Sequence, residues 1–149
     1  MVPNANGLDL LYRGTRDGFK SKNFMTMCGD KGETLSIVQT KEFKNVLGGY
    51  TNIPWSKQSP RYGQWMKGDH KSFLFKVYPN NEIVKLHHLQ SEQYETFHYN
   101  DMLPCFGNDL YLYEDCNTNC NSQSDVGFNY EAPESIDKYS EQAKEFLAG

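Results

Sequence analysis

The chain has 149 residues, enough for one domain whose core needs neither disulfide nor metal. No apolar run reaches the ~20 residues of a membrane span, and the N-terminus lacks the basic region and apolar core of a secretory signal, so the expected location is cytoplasmic or organelle-associated. The net charge of -4 is uneven: residues 1–89 hold 13 Lys and Arg against 7 Asp and Glu, and residues 90–149 hold 2 against 12. No basic stripe of the kind that reads nucleic acid is present. The acidic second half either attracts a basic partner or is neutralised by the first half within one domain.

Aromatic content is 14%, with ten Tyr and nine Phe, which favours strands. In chain order, LDLLYRG (8–14) reads as a strand entering a turn. Ser21 then reads as the N-cap of a short helix through Phe24, Met25 and Cys28, stopped by Gly29 or Gly32. ETLSIVQT alternates as a strand, with Leu35 and Val38 near its ends, and KEFKN is a turn. VLGGYTNI is the next strand. Its Gly48 and Gly49 mark a bulge or a close backbone approach. PWSKQSPRYGQWMKGDH is a long polar loop holding Trp55 and Trp65.

KSFLFKVYP is the strongest strand. Its run Phe73, Leu74, Phe75 predicts burial on both faces. Asn80–Asn81 turns it back into EIVKLHHL as a hairpin. ETFHYND is a further short strand. LPCFGNDLYLYED holds a glycine turn, then a strand with Leu110 and Leu112 on one side and Tyr111 and Tyr113 on the other. CNTNCNSQSDVGFNYEAPES is a long loop, and the chain closes on a helix carrying Tyr139, Ala143 and Phe146. The pattern is α+β and strand-dominated: two packed antiparallel sheets with short flanking helices. One core is expected to collect Phe73, Phe75, Leu35 or Ile37, Tyr50 and Trp55.

Candidate chemistry is sparse. Cys116 and Cys120 form C-x3-C, with His87, His88 and Cys105 as further possible ligands. A structural zinc site wants four N or S ligands, usually as two close pairs. His87 and His88 are adjacent on a strand and point to opposite faces, so they do not serve one ion. No metal and no cofactor is expected. A reactive thiol needs an electropositive, partly exposed setting. Cys28 lies at a helix C-terminus, Cys105 in an apolar stretch, and Cys116 after Glu114 and Asp115, so none reads as activated. GxSxG, HExxH, P-loop and GxGxxG motifs are absent. Asp17, Gly18 and Ser21 read as turn and cap residues, not a catalytic pair.

Taken in order, LLYRGTRDGFKSKNF, GETLSIV, VLGGYTNIPW, SFLF and PCFGNDLYLYED resemble a TLDc domain over residues 8–149. The family includes the oxidation resistance proteins and the nuclear receptor coactivator 7 group. The resemblance implies a β-sandwich with short helices, no established catalytic residues and protection against oxidative stress. Several members bind the vacuolar-type proton ATPase and regulate its assembly. Asp17, Gly18, Ser21, Gly48, Gly49, Tyr50, Trp55, Phe73, Phe75, Phe106 and Gly107 then belong to the fold signature. The expectation is a non-catalytic interaction module whose acidic half, including Glu114, Asp115, Asp125, Glu131 and Glu134, faces a protein partner. The alternatives are a structural component of a cytoskeletal or membrane assembly, and a thiol- or hydrolase-type enzyme. Two departures stand out: only seven residues precede Leu8, and the family's strand after Leu147–Ala148–Gly149 is missing. A longer chain or a partner's strand is expected to complete the domain.

Overall fold

Alternating apolar residues build a first sheet around two central glycines. A computed structural model describes residues 7–56, 60, 62–138 and 140–148. In it β1 (Thr34–Gln39), β2 (Val46–Thr51), β4 (Phe73–Val77) and β5 (Ile83–His87) form an antiparallel sheet in the order β1-β2-β4-β5. The other layer comprises two smaller ribbons. One pairs β3 (Gln64–Lys67) with β6 (Tyr94–His98). The other runs β7 (Met102–Phe106), β8 (Leu110–Tyr113), β9 (Gln123–Ser124), and the two ribbons meet where β6 leads into β7. Helices α1 (Gly14–Asp17), α2 (Ser21–Cys28) and α3 (Glu141–Ala148) flank them. The α+β sandwich expected from the strand pattern is the observed architecture.

The register of β4 sends its residues alternately to two apolar clusters. Leu47, Leu74 and Leu86 face inward, onto Phe106, Leu110, Leu112, Phe24, Ala143 and Leu147. Trp55 sits in this main core with no exposed surface, its indole N–H donating to Thr34 Oγ1 at 2.8 Å. Tyr50, Phe73 and Phe75 lie on the opposite face as a separate cluster, joined by Leu35 and Val77. The expectation of one shared core is therefore corrected. Tyr50 pairs directly with Phe73 across the strands, which commits both to the face away from Leu74. Ile37, offered as an alternative to Leu35, is exposed.

Gly48 and Gly49 make no bulge, because the ladder runs unbroken through both on either side. They serve close approach instead. A Cβ on Gly49 would lie 2.6 Å from the Phe106 ring, and one on Gly48 would meet the Ser36 carbonyl and the Phe75 ring. Each face of β2 thus admits an aromatic ring over a glycine.

Four local expectations change. Residues 8–13 form no strand; the chain curls into α1, with Asp17 accepting from the Arg13 N–H at 2.8 Å. Among the described residues no strand pairs with LDLLY, and Leu8 and Leu10 are exposed. Ser21 is the first residue of α2, not its cap; its hydroxyl lies between the Asn100 carbonyl and Glu114. The long polar loop contains β3, held by Trp65 against Phe97 with ring centroids 4.7 Å apart. The segment before Gly107 is a strand, β7, in which Pro104 occupies a break in the ladder register. The closing helix is observed, with Ala143 and Leu147 buried, whereas Tyr139 lies outside the described residues.

Candidate functional site

The Phe106–Gly107–Asn108–Asp109 turn anchors the long loop that follows β9. Asp109 is fully buried. Its carboxylate accepts from the backbone N–H groups of Gly127 (2.7 Å), Phe128 (3.0 Å), Asn129 (2.7 Å) and Tyr130 (3.3 Å). Burial pushes its pKa up to about 6, against the pull of those donors. Asn129 returns the contact, its side-chain oxygen accepting from the Asn108 N–H at 2.8 Å. Gly107 has φ +57, and a Cβ there would collide with Asn129. Phe106 and Gly107 are thus structural: a ring under Gly49 and a left-handed turn beneath Asn129. Asp17 and Gly18 likewise form the α1 turn, where the Tyr12 hydroxyl donates to the Gly18 carbonyl.

The acidic candidates separate into two groups. Glu114 and Asp115 are half-buried and engaged within the fold. Both pair with the Lys20 ammonium, and Glu114 Oε2 accepts from the Ser21 N–H at 3.3 Å. They dock the α2 N-terminus onto the end of β8, which suits the dipole of that helix. Glu131 and Glu134 are exposed, and Asp125 is partly so. The Glu131 backbone is held by the His87 carbonyl at 2.8 Å, which fixes where this acidic segment leaves the sheet.

Three of the four thiols are held away from the reactive thiolate form. Burial, reinforced by the Asp17 charge, pushes Cys28 up to about 11. Burial raises Cys105 further, and raises Cys116 with help from Asp115. All four cysteines are free. A shallow surface hollow at Lys22, Met25, Thr26, Ser56 and Asn100 gathers no acid–base pair.

One chemical constellation is assembled that sequence spacing does not disclose. His70, His88 and Glu95 each bring a ligand-type atom within 4.8 Å of the others. His70 precedes β4, His88 follows β5 and Glu95 lies on β6. The alternation argument holds for the dyad: His88 is 2% exposed and His87 points out to solvent. Sequence spacing gives no ligand signal for His70 or Glu95, because a polar loop and a strand carboxylate carry no periodicity. Folding alone brings them to His88. The Cys116–Cys120 pair takes no part in this group.

The fold and these sites define a strand-dominated α+β sandwich in which buried polar hubs organise the loops. The sequence profile of the TLDc domain family matches residues 3–147, and the chain belongs to that family. No curated protein and no solved structure matches it significantly. Among the described residues, no helix is long and apolar enough to cross a membrane.

Proposed function

We propose that this chain is a non-catalytic TLDc interaction module that docks on a large protein assembly, the vacuolar-type proton ATPase being the partner of choice, in a setting of protection against oxidative stress. The observation that carries this reading is the family match over residues 3–147. The raised thiols at Cys28, Cys105 and Cys116 agree with binding over redox catalysis. Of the acidic residues expected at the interface, Glu131, Glu134 and Asp125 are the ones this reading keeps. Glu114 and Asp115 contribute by holding α2 in place.

Long-range attraction between charged surfaces decays over a Debye length of ~8 Å at physiological salt. Association of the purified chain with purified ATPase subunits, followed by stopped flow, is therefore expected to slow as salt is added. Charge reversal by Glu131→Lys with Glu134→Lys is expected to slow it further. An association rate indifferent to both salt and charge reversal counts against the acidic face, and no association at all counts against the partner. A variant with Ser at positions 28, 105, 116 and 120 is expected to bind as before. Peroxide consumption by the parent chain that disappears in that variant would replace this reading with a thiol enzyme.

A further inference from the structure

We propose that His70, His88 and Glu95 bind a divalent transition-metal ion of the zinc class. Two imidazoles and one carboxylate are the donor set that zinc and non-haem iron take in three-ligand sites, where water or another ligand completes the coordination.

The rings are already oriented. His88 Nε2 lies 3.0 Å from the Tyr94 carbonyl, which can only accept, so Nε2 carries the proton and Nδ1 presents a lone pair. That Nδ1 accepts from His70 Nδ1–H at 2.9 Å, and a bound ion would take the place of this proton, which leaves to solvent or moves to His70 Nε2. An imidazole whose remote N–H is held by a carbonyl is the usual support of a metal-bound histidine. The Tyr130 ring stands edge-on to His88, with centroids 5.3 Å apart, and limits its rotation. Metal–nitrogen bonds of about 2.1 Å to nitrogens at that spacing subtend about 90°; separation by roughly another half ångström gives the tetrahedral angle.

Glu95 is fully buried, and backbone donors hold it in place. Its Oε1 accepts from the His70 N–H at 2.6 Å and its Oε2 from the Ser72 N–H at 3.2 Å. Each oxygen retains a lone pair, since an ionised carboxylate offers about four acceptor sites. Gly68 permits this wrapping, because a Cβ there would overlap the carboxylate. His70 itself sits at φ +61, a conformation unusual for a residue other than glycine, and this backbone brings its ring to His88. Two ligands are buried and His70 is only half-buried, so the cluster reaches the surface at His70. A bound ion would tie the loop before β4 to β5 and β6, across the four-stranded sheet and the β3–β6 ribbon. This proposal does not rest on the partner reading, although Glu131 follows the Tyr130 that packs on His88.

The test strips the purified chain with a chelator, adds Co²⁺ or Zn²⁺ and measures retained metal after gel filtration. One equivalent is expected, with cobalt bands of nitrogen and oxygen ligands and no thiolate charge-transfer band. His70→Asn is the informative variant, because Asn tolerates positive φ while losing the imidazole. Its affinity is expected to fall about tenfold or more. Nitrogen-15 NMR of the unaltered chain keeps the test open should the variant fail to fold: on adding Zn²⁺, Nδ1 of both His70 and His88 is expected to move to metal-bound shifts. No retained metal, a thiolate-dominated cobalt spectrum, unmoved His70 and His88 signals, or undiminished binding by folded His70→Asn overturns the proposal.

Discussion

Gly49 and His98 show how single positions set the tolerance of the main core. Gly49→Ala forces the Phe106 ring away, and that ring also packs on Trp55 at 5.7 Å. A loss of about 1–3 kcal/mol is expected from such overpacking, read as a lowered urea midpoint at unchanged m-value. Gly48→Ala is expected to cost more, because the obstacle includes the Ser36 carbonyl, part of the backbone of β1. His98 is buried and neutral. Its Nδ1 accepts from the Ser56 N–H at 3.1 Å, which leaves Nε2–H to donate to Thr96. Burial lowers its pKa from 6.5 to about 4. The unfolded chain therefore binds a proton that the folded chain refuses between those values. Stability contributed by His98 is present above pH 6.5 and lost as pH falls to about 4, on the order of 3 kcal/mol in all. Asp109 acts with the opposite sign. Its raised pKa favours the folded state below 3.8, and that contribution is lost as pH rises through about 6. Urea unfolding at several pH values, compared between the parent chain and His98→Asn, isolates the histidine: the variant is expected to lose the acid-side decline that the parent shows relative to it.

At the scale of elements, two long-range ties hold segments with little regular structure of their own. Asp109→Ala would strand the four backbone N–H groups between Gly127 and Tyr130. A loss of at least about 3 kcal/mol is expected, with hydrogen exchange rising first in residues 127–130. The second tie is α3. Ala143 and Leu147 seal the core, the Ser124 hydroxyl donates to the Lys144 carbonyl at 2.6 Å, and the Lys76 ammonium reaches the Phe146 carbonyl. A cation there complements the negative end of the helix, although burial lowers the Lys76 pKa. Leu147→Ala is expected to cost about 2–5 kcal/mol by calorimetry or urea titration. That result would mark α3 as an integral part of the core.

Across the whole molecule, the charge division along the chain is partly cancelled in space. Lys20 of the basic half meets Glu114 and Asp115 of the acidic half. Lys20 is exposed and its acidic partners are only half-buried, so water screens the pairs and their energetic weight is small; their consequence is positional. Asp115→Lys is expected to lower the thermal midpoint modestly and to leave salt-dependent association unchanged. The opposite pattern is expected for reversal at Glu131 and Glu134. Finding the Asp115 variant slow to associate but fully stable would move the partner face to the α2–β8 junction.

Local pattern was enough to reveal strand dominance, the FLF strand with its Asn80–Asn81 hairpin, the two longer helices and the family. Those features depend on neighbours a few residues apart, whose periodicity and turn chemistry are written along the chain. The glycine pair was legible as close approach or bulge, but the choice needed Phe106, more than fifty residues later, to lie against Gly49. The strand status of QWMK and MLPC depended on partners, because a short polar or proline-bearing segment becomes a strand only when a neighbour supplies its hydrogen bonds. The same is true of chemistry. Glu114 reads in sequence as part of a partner-facing acidic surface, and only the fold sets Lys20 and Ser21 beside it. His70 and Glu95 carried no signal until the sheet brought them to His88. Ligand sets and ion pairs depend on distances through space, and in an antiparallel sandwich those distances are set by register and packing between segments far apart in sequence.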